Sequence, residues 1–214
     1  MWDCLGSVAV AIVLIAALPG RAQQRMESGH TLWEPPRVEW PTKEIRGPVI
    51  HRISVGGFPI VLNQTPLGDA KRTLGGTIGS GGDAGNAEAW LCFHGSDESG
   101  TWIFWLTSIE IDGDTVGGFT WKHVETGTTI DSRCRNLRGS NPIRLQLPLH
   151  IGMTRAEALK ILGERASVGH SEMFNMRRVQ KVIDGTQYTI SNGIEVALRK
   201  GAVVQVAAFE SGSD

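Results

Sequence analysis

Hydrophobic and polar positions change period several times along the chain. The stretch Thr65-Pro66-Leu67-Gly68-Asp69-Ala70-Lys71-Arg72-Thr73-Leu74-Gly75 places Leu67, Ala70 and Leu74 on one helical stripe. Thr65 suits the N-cap, Pro66 the first helical position and Gly75 the stop. A second helical stretch follows Gly152-Met153. There Thr154 and Glu157 form a capping box, Ala158, Leu159 and Leu162 make the buried face, and Gly163 ends the run. Helices of about eight residues do not persist alone, so each must rest on something.

The segments downstream of each helix supply that support. Ala89 to Phe93, Trp102 to Ile111 and Val116 to Val124 are β-rich runs, separated by His94-Gly95-Ser96-Asp97 and Asp112-Gly113-Asp114. After the second helix come Val179 to Ile183, Gln187 to Ile190, Ile194 to Leu198 and Val203 to Phe209. Asp184-Gly185, Asn192-Gly193 and Lys200-Gly201 stand between them as tight-turn signals, which predicts antiparallel meanders. The order helix, meander, helix, meander predicts an α+β fold of two tandem units, residues 51–135 and 136–214. The glycines of Gly75 to Gly85 close a helix, and no Lys follows them. A phosphate loop needs the opposite order, so this stretch reads as a flexible connector.

The N-terminal part follows neither period. Leu5 to Leu18 is an uncharged apolar run, shorter than the ~20 residues of a helical span but suited to a secretory signal. Pro19-Gly20-Arg21-Ala22 supplies small residues for cleavage after Ala22, which makes residues 1–22 a signal peptide with no membrane span left after the cut. The segment ahead of the run departs from the usual pattern, because it carries Asp3 and no Lys or Arg. Residues 23–50 are polar, carry Pro35, Pro36, Pro41 and Pro48, and read as a tether or extended arm, partly disordered. Trp33 and Trp40 within it dock either on the body or on a partner.

Composition narrows the function classes. Lys+Arg number 21 against Asp+Glu 22, without basic blocks, which argues against a nucleic-acid partner. Export leaves Cys92 and Cys134 as an even pair in an oxidising compartment, the usual signature of a disulfide. Closing that loop of about 42 residues contributes about 4 kcal/mol in the chain-entropy picture. No metal-ligand spacing accompanies the two cysteines or the six histidines, and no GxSxG elbow marks a nucleophile. The expectation is therefore no catalytic residue, no metal and no cofactor. The run Trp102-Ile103-Phe104-Trp105-Leu106 is apolar on both faces of a strand, with Trp90 and Trp121 on neighbouring strands. Either the strand is covered on both sides, or one aromatic face binds a partner through Trp90, Trp102, Trp105 and Trp121.

The segment Leu149-His150-Ile151-Gly152-Met153-Thr154-Arg155-Ala156-Glu157-Ala158-Leu159-Lys160-Ile161-Leu162-Gly163 resembles the "GMTxxEVxxxLG" opening of the SmpA/OmlA (BamE-like) envelope lipoproteins. The chain is also similar to the tandem-unit β-lactamase inhibitor proteins. Ile194 to Leu198 and Gly201 to Val204 resemble the usual strand, "dGkV", strand ending, so the likeness covers about residues 145–210. Residues 58–124 share only the capped helix and the strand order. There is no lipid-attachment Cys after the signal, and the first unit carries a Gly-rich insert. The resemblance implies a small helical layer on an antiparallel sheet, binding other proteins without catalysis. The sequence thus points to a periplasmic or secreted non-enzymatic module of the cell envelope that binds a protein through its sheet faces. The alternatives are a secreted enzyme or carbohydrate binder using the aromatic surface, or an inhibitor of an envelope hydrolase.

Overall fold

The computed structural model describes residues 31–82, 87–109, 114–138, 142–163, 167–168, 172–183 and 185–213. The expected signal segment and cleavage site and the Asp112-Gly113 part of one expected turn lie outside these residues. The described chain is mixed but strand-dominated, with antiparallel sheets and two helices.

The elements follow in chain order. Strands β1 (Thr31–Leu32), β2 (Arg52–Val55) and β3 (Phe58–Val61) precede helix α1 (Leu67–Leu74). Then come β4 (Ile78–Gly81), β5 (Glu88–Asp97), β6 (Gly100–Ile109) and β7 (Gly118–His123). Three short strands follow, β8 (Thr129–Ile130), β9 (Arg135–Asn136) and β10 (Ile143–Leu145), leading to helix α2 (Arg155–Leu162). The chain closes with β11 (Ser167–Val168), β12 (Glu172–Ile183), β13 (Thr186–Arg199) and β14 (Ala202–Ser213). The main sheet has the order β11-β12-β13-β14-β7-β6-β5-β4, with β9 parallel beside β5. A small sheet, β10-β2-β3, pairs residues 143–145 with residues 53–55.

Strand alternation and pairing assign the two faces of the main sheet. Leu91, Phe93, Trp102, Phe104, Leu106, Phe119, Trp121, Ile194, Val196, Val206 and Ala208 pack in one continuous core with both helices and the small sheet. Leu67, Ala70 and Leu74 of α1 and Ala158 and Leu162 of α2 are buried in it, and Leu159 is partly buried. The opposite face carries a smaller cluster of Trp90, Cys92, Ile103 and Trp105 with Trp33, Val124 and Cys134. The Trp102 strand is therefore covered on both sides, which settles that alternative.

The capping box of α2 is formed: Glu157 N–H donates to Thr154 Oγ1 at 3.3 Å and Thr154 N–H to Glu157 Oε2 at 2.9 Å. Thr154→Ala is expected to cost about 1 kcal/mol, read as a lower midpoint in urea with unchanged slope.

Four local expectations are corrected. His94-Gly95-Ser96-Asp97, expected between strands, is the end of β5, paired with residues 100–103 of β6. Thr65 does not cap α1; Pro66 is the N-cap residue, and Thr65 Oγ1 instead accepts Val61 N–H at 2.9 Å, closing the turn from β3. Residues 78–81, expected within a flexible connector, form β4 against β5. Asn192-Gly193 is not a turn but the middle of β13, which merges two expected strands. The reason is packing: a Cβ at Gly193 would collide with Phe209 and Trp40, so the residue is glycine to admit rings, not to reverse the chain.

Candidate interaction surface

The second face of the main sheet is organised by a cross-strand row that appears only once the register is known. Gly79 pairs Trp90, Trp90 pairs Thr107, Thr107 pairs Gly118, Gly118 pairs Phe209, Phe209 pairs Gly193, and Gly193 pairs Met176. Directly opposite residues share a face, so these seven side-chain positions line one track across seven strands. Gly79, Gly118 and Gly193 lower its floor. A Cβ at Gly118 would stand 2.8 Å from Ala208 O and 3.2 Å from Thr107 Oγ1.

Residues 31–46 lie across this track as an extended arm. Trp33 is buried and meets Trp90 edge-on, with centroids 5.9 Å apart. A Cβ at Gly79 would approach the Trp33 ring to 2.6 Å. Trp40 packs on Phe209 with centroids 4.4 Å apart, above Gly193. Ile45 then pairs with the outer edge of β12, donating to Met176 O at 2.7 Å and accepting from Met176 N–H at 3.0 Å. Arg178 Nη1 donates to Thr42 O at 2.9 Å, and Asn175 Nδ2 to Pro48 O at 3.1 Å as the chain turns round the sheet edge. Lengths agree with this path. Seven extended residues from Trp33 to Trp40 reach about 23 Å, and the four strand spacings between their seats come to about 19 Å.

The start of the arm is held by a clamp, residues 124–137. β8 pairs parallel with β1, Asp131 N–H donates to Leu32 O at 3.0 Å, and the Arg133 guanidinium lies 4.1 Å from the Trp33 ring centroid. Arg133 Nε and Nη2 grip the two oxygens of Asp131 at 2.8 Å each. These bonds from Arg133 hold the Asp131 carboxyl well below the ordinary carboxylate range. The clamp is joined to β5 by the Cys92–Cys134 disulfide, with Cα atoms 4.5 Å apart. Trp105, the register partner of Cys92, donates its Nε1–H to Trp33 O at 2.9 Å.

Two carboxyls on this side respond to burial. Glu88 is raised above its ordinary value by desolvation, with Arg37 of the arm pulling the other way. Glu195 sits in the neighbouring row Cys92–Trp105–Thr120–Ala207–Glu195–Phe174 and is 5 % exposed. Burial first, and then the Glu172 charge, push its carboxyl up to about 7, against the opposing hydrogen bond from Gln205 and the charge of Lys122.

The four tryptophans expected to contact a partner are placed differently. Trp90 and Trp105 are on the arm side, whereas Trp102 and Trp121 are on the helix side, where they meet at right angles 6.4 Å apart. All four are buried, at 3, 1, 1 and 6 % exposure for Trp90, Trp102, Trp105 and Trp121, so none offers a free ring. Cys92 and Cys134 meet as expected from their parity. The glycine row and the arm's seating escaped the sequence reading. The one signal was the pair Trp33 and Trp40, spaced to reach across a sheet. Among the described residues no cluster of three His, Cys, Asp or Glu side chains is placed to hold a metal, and no helix is long and apolar enough to cross a membrane.

No family model matches the chain, and no curated protein and no solved structure matches it. The class defined by fold and site is accordingly structural: a strand-dominated mixed protein whose antiparallel sheet is sandwiched between a helical layer and an extended arm.

Proposed function

We propose that the chain is an exported, non-enzymatic interaction module of the cell envelope, which binds a protein partner through the arm-bearing face of its sheet. The observation that carries this reading is the glycine-floored track, which already holds an extended, tryptophan-bearing segment of the chain itself. A surface that accepts residues 31–46 accepts a partner segment of the same chemistry: extended, with two aromatic side chains seven residues apart. Extended segments laid on a sheet gain affinity from pockets for such side chains. The disulfide and the apolar leader support a periplasmic or secreted location.

The same proposal includes two tandem α+β units. Each helix is followed directly by four strands of the main sheet, α1 by β4 to β7 and α2 by β11 to β14, with the short β8, β9 and β10 between β7 and α2, and the two sets meet through β7 and β14. That order supports the tandem reading and the BamE-like or inhibitor-like resemblance. Burial of the four tryptophans takes them away as an exposed aromatic surface for an enzyme or carbohydrate binder and equally as partner anchors, so the surface proposed here is the track under the arm.

The test uses a fluorescent peptide of residues 31–46 and the mature chain carrying Trp33→Ala and Trp40→Ala, which empties the seats. The peptide is expected to bind this variant with a Kd of about 1–100 μM and the unmodified chain at least about tenfold more weakly, because the tethered arm competes at an effective concentration near millimolar. A peptide lacking both tryptophans is expected not to bind. Absence of binding to a variant whose β13 and β14 amides remain protected from exchange would overturn the proposal. So would turnover of an ester, glycoside or peptide panel that one side-chain change abolishes.

A further inference from the structure

Resting on that reading, we infer that the Cys92–Cys134 disulfide is a lock that keeps the arm on the sheet face, so that access to the track is set by thiol oxidation. The contacts at the start of the arm converge on the locked segment. Leu32 accepts from Asp131 N–H, β1 pairs with β8, and Trp33 lies under Arg133. The cystine also borders the other anchor, because Cys92 stands directly opposite Trp105, whose indole N–H holds Trp33 O.

The lock is separable from the fold. Cys92 and Cys134 belong to the small second-face cluster with Trp33, Trp90, Ile103, Trp105 and Val124. The large first-face core, which holds both helices and the long strands, contains neither cysteine. Opening the bond therefore frees the clamp to move away from β5 while the sheet and helical layer stay assembled. Among the described residues the clamp then keeps ties near its ends, Val124 N–H to Thr101 O at 2.8 Å, the Glu125–Arg199 ion pair and Leu137 N–H to His94 O at 2.8 Å, with the short β5–β9 pairing between. The middle of the clamp, Thr129 to Arg133, is the part that holds the arm.

Chemically the step is thiol–disulfide exchange with a dithiol. The S–S bond between Cys92 and Cys134 breaks, the two cysteines take up two electrons and two protons, and the dithiol is oxidised to its own disulfide. Both sulfurs are buried, with Cys92 at 0 % and Cys134 at 3 % exposure, so exchange waits on local opening of the clamp. The oxidised chain therefore keeps its arm down in an oxidising compartment, and a chain that has not yet formed the bond presents an open track.

Hydrogen exchange on the mature chain, oxidised and after treatment with dithiothreitol, tests this. Amides at the start of the arm, residues 31–37, are expected to exchange at least about tenfold faster in the reduced chain, and trypsin to cut faster at Arg37, while β13 and β14 stay unchanged. Unchanged arm protection after full reduction, with β13 and β14 intact, would sink the lock. Should reduction unfold the chain, Cys134→Ala removes the bond from the clamp side without reductant and leaves β5 unchanged. The arm should again be released, and an arm as protected as in the unmodified chain overturns the inference. The peptide of residues 31–46 separates this idea from the binding proposal. Release of the arm without peptide binding keeps the lock and removes the binding reading. Peptide binding to the Trp33→Ala, Trp40→Ala chain with no effect of reduction does the reverse.

Discussion

Trp105→Ala is expected to destabilise the protein by about 3–5 kcal/mol and to release the arm in the same step. Trp105 is 1 % exposed on the centre strand of the second-face cluster, so truncation leaves a large cavity. It also removes the indole N–H that holds Trp33 O. The informative comparison is Phe104→Ala, one residue away and buried on the helix face, stacked on Phe119 with centroids 5.5 Å apart. That change should cost a similar amount globally and leave arm protection in place at low denaturant. Urea unfolding gives the first quantity and hydrogen exchange of residues 31–45 the second. Equal arm protection in the two variants would show that Trp105 does not anchor the arm.

Glu195→Gln is expected to stabilise the protein at alkaline pH by about 2–3 kcal/mol and to flatten its pH dependence. In the folded protein the Glu195 carboxyl titrates at about 7, against 4.5 for a free side chain, because the sheet face takes it out of water. Between those values the native state binds the proton that the unfolded chain has lost. The contribution is thus fully present below about pH 4.5, declines as pH rises, and is gone above about pH 7. Each pKa unit corresponds to about 1.4 kcal/mol, and partial solvation of the group lowers the total somewhat. Glutamine is neutral throughout and retains an amide oxygen for the Gln205 N–H, so the variant should show no such decline. The charged groups facing Glu195 are Glu172 on β12 and Lys122 on β7; the Lys122 charge holds the carboxyl pKa down, so Lys122→Met should move its titration midpoint to higher pH, read by NMR of the Glu195 carboxyl.

Much of the local structure was legible because it is written in adjacent residues. Thr154 and Glu157 cap α2 through bonds three residues apart, and the stripes of Leu67, Ala70 and Leu74 and of Ala158 and Leu162 face the core as their spacing requires. Lys200-Gly201 turns the chain between β13 and β14, with both residues at positive φ. Asn192-Gly193 carries the same kind of signal and does not turn, because rings from two distant segments, Trp40 and Phe209, claim the space above Gly193. Likewise Thr65 has cap chemistry, yet its hydroxyl is used by Val61 N–H in the preceding turn.

The sequence by itself determined the two helical stripes, the candidate pair Cys92 and Cys134 and the fact that the Trp102 strand has two apolar faces. These depend on spacing and composition, which the chain carries whatever its partners in space. Only the tertiary structure decided what covers those faces, since it depends on register between strands far apart in sequence. Pairing of β7 with β14 brought Gly118 opposite Phe209, and pairing of β13 with β14 set Phe209 beside Gly193. A polar, proline-rich arm thereby found a track that no local pattern announces.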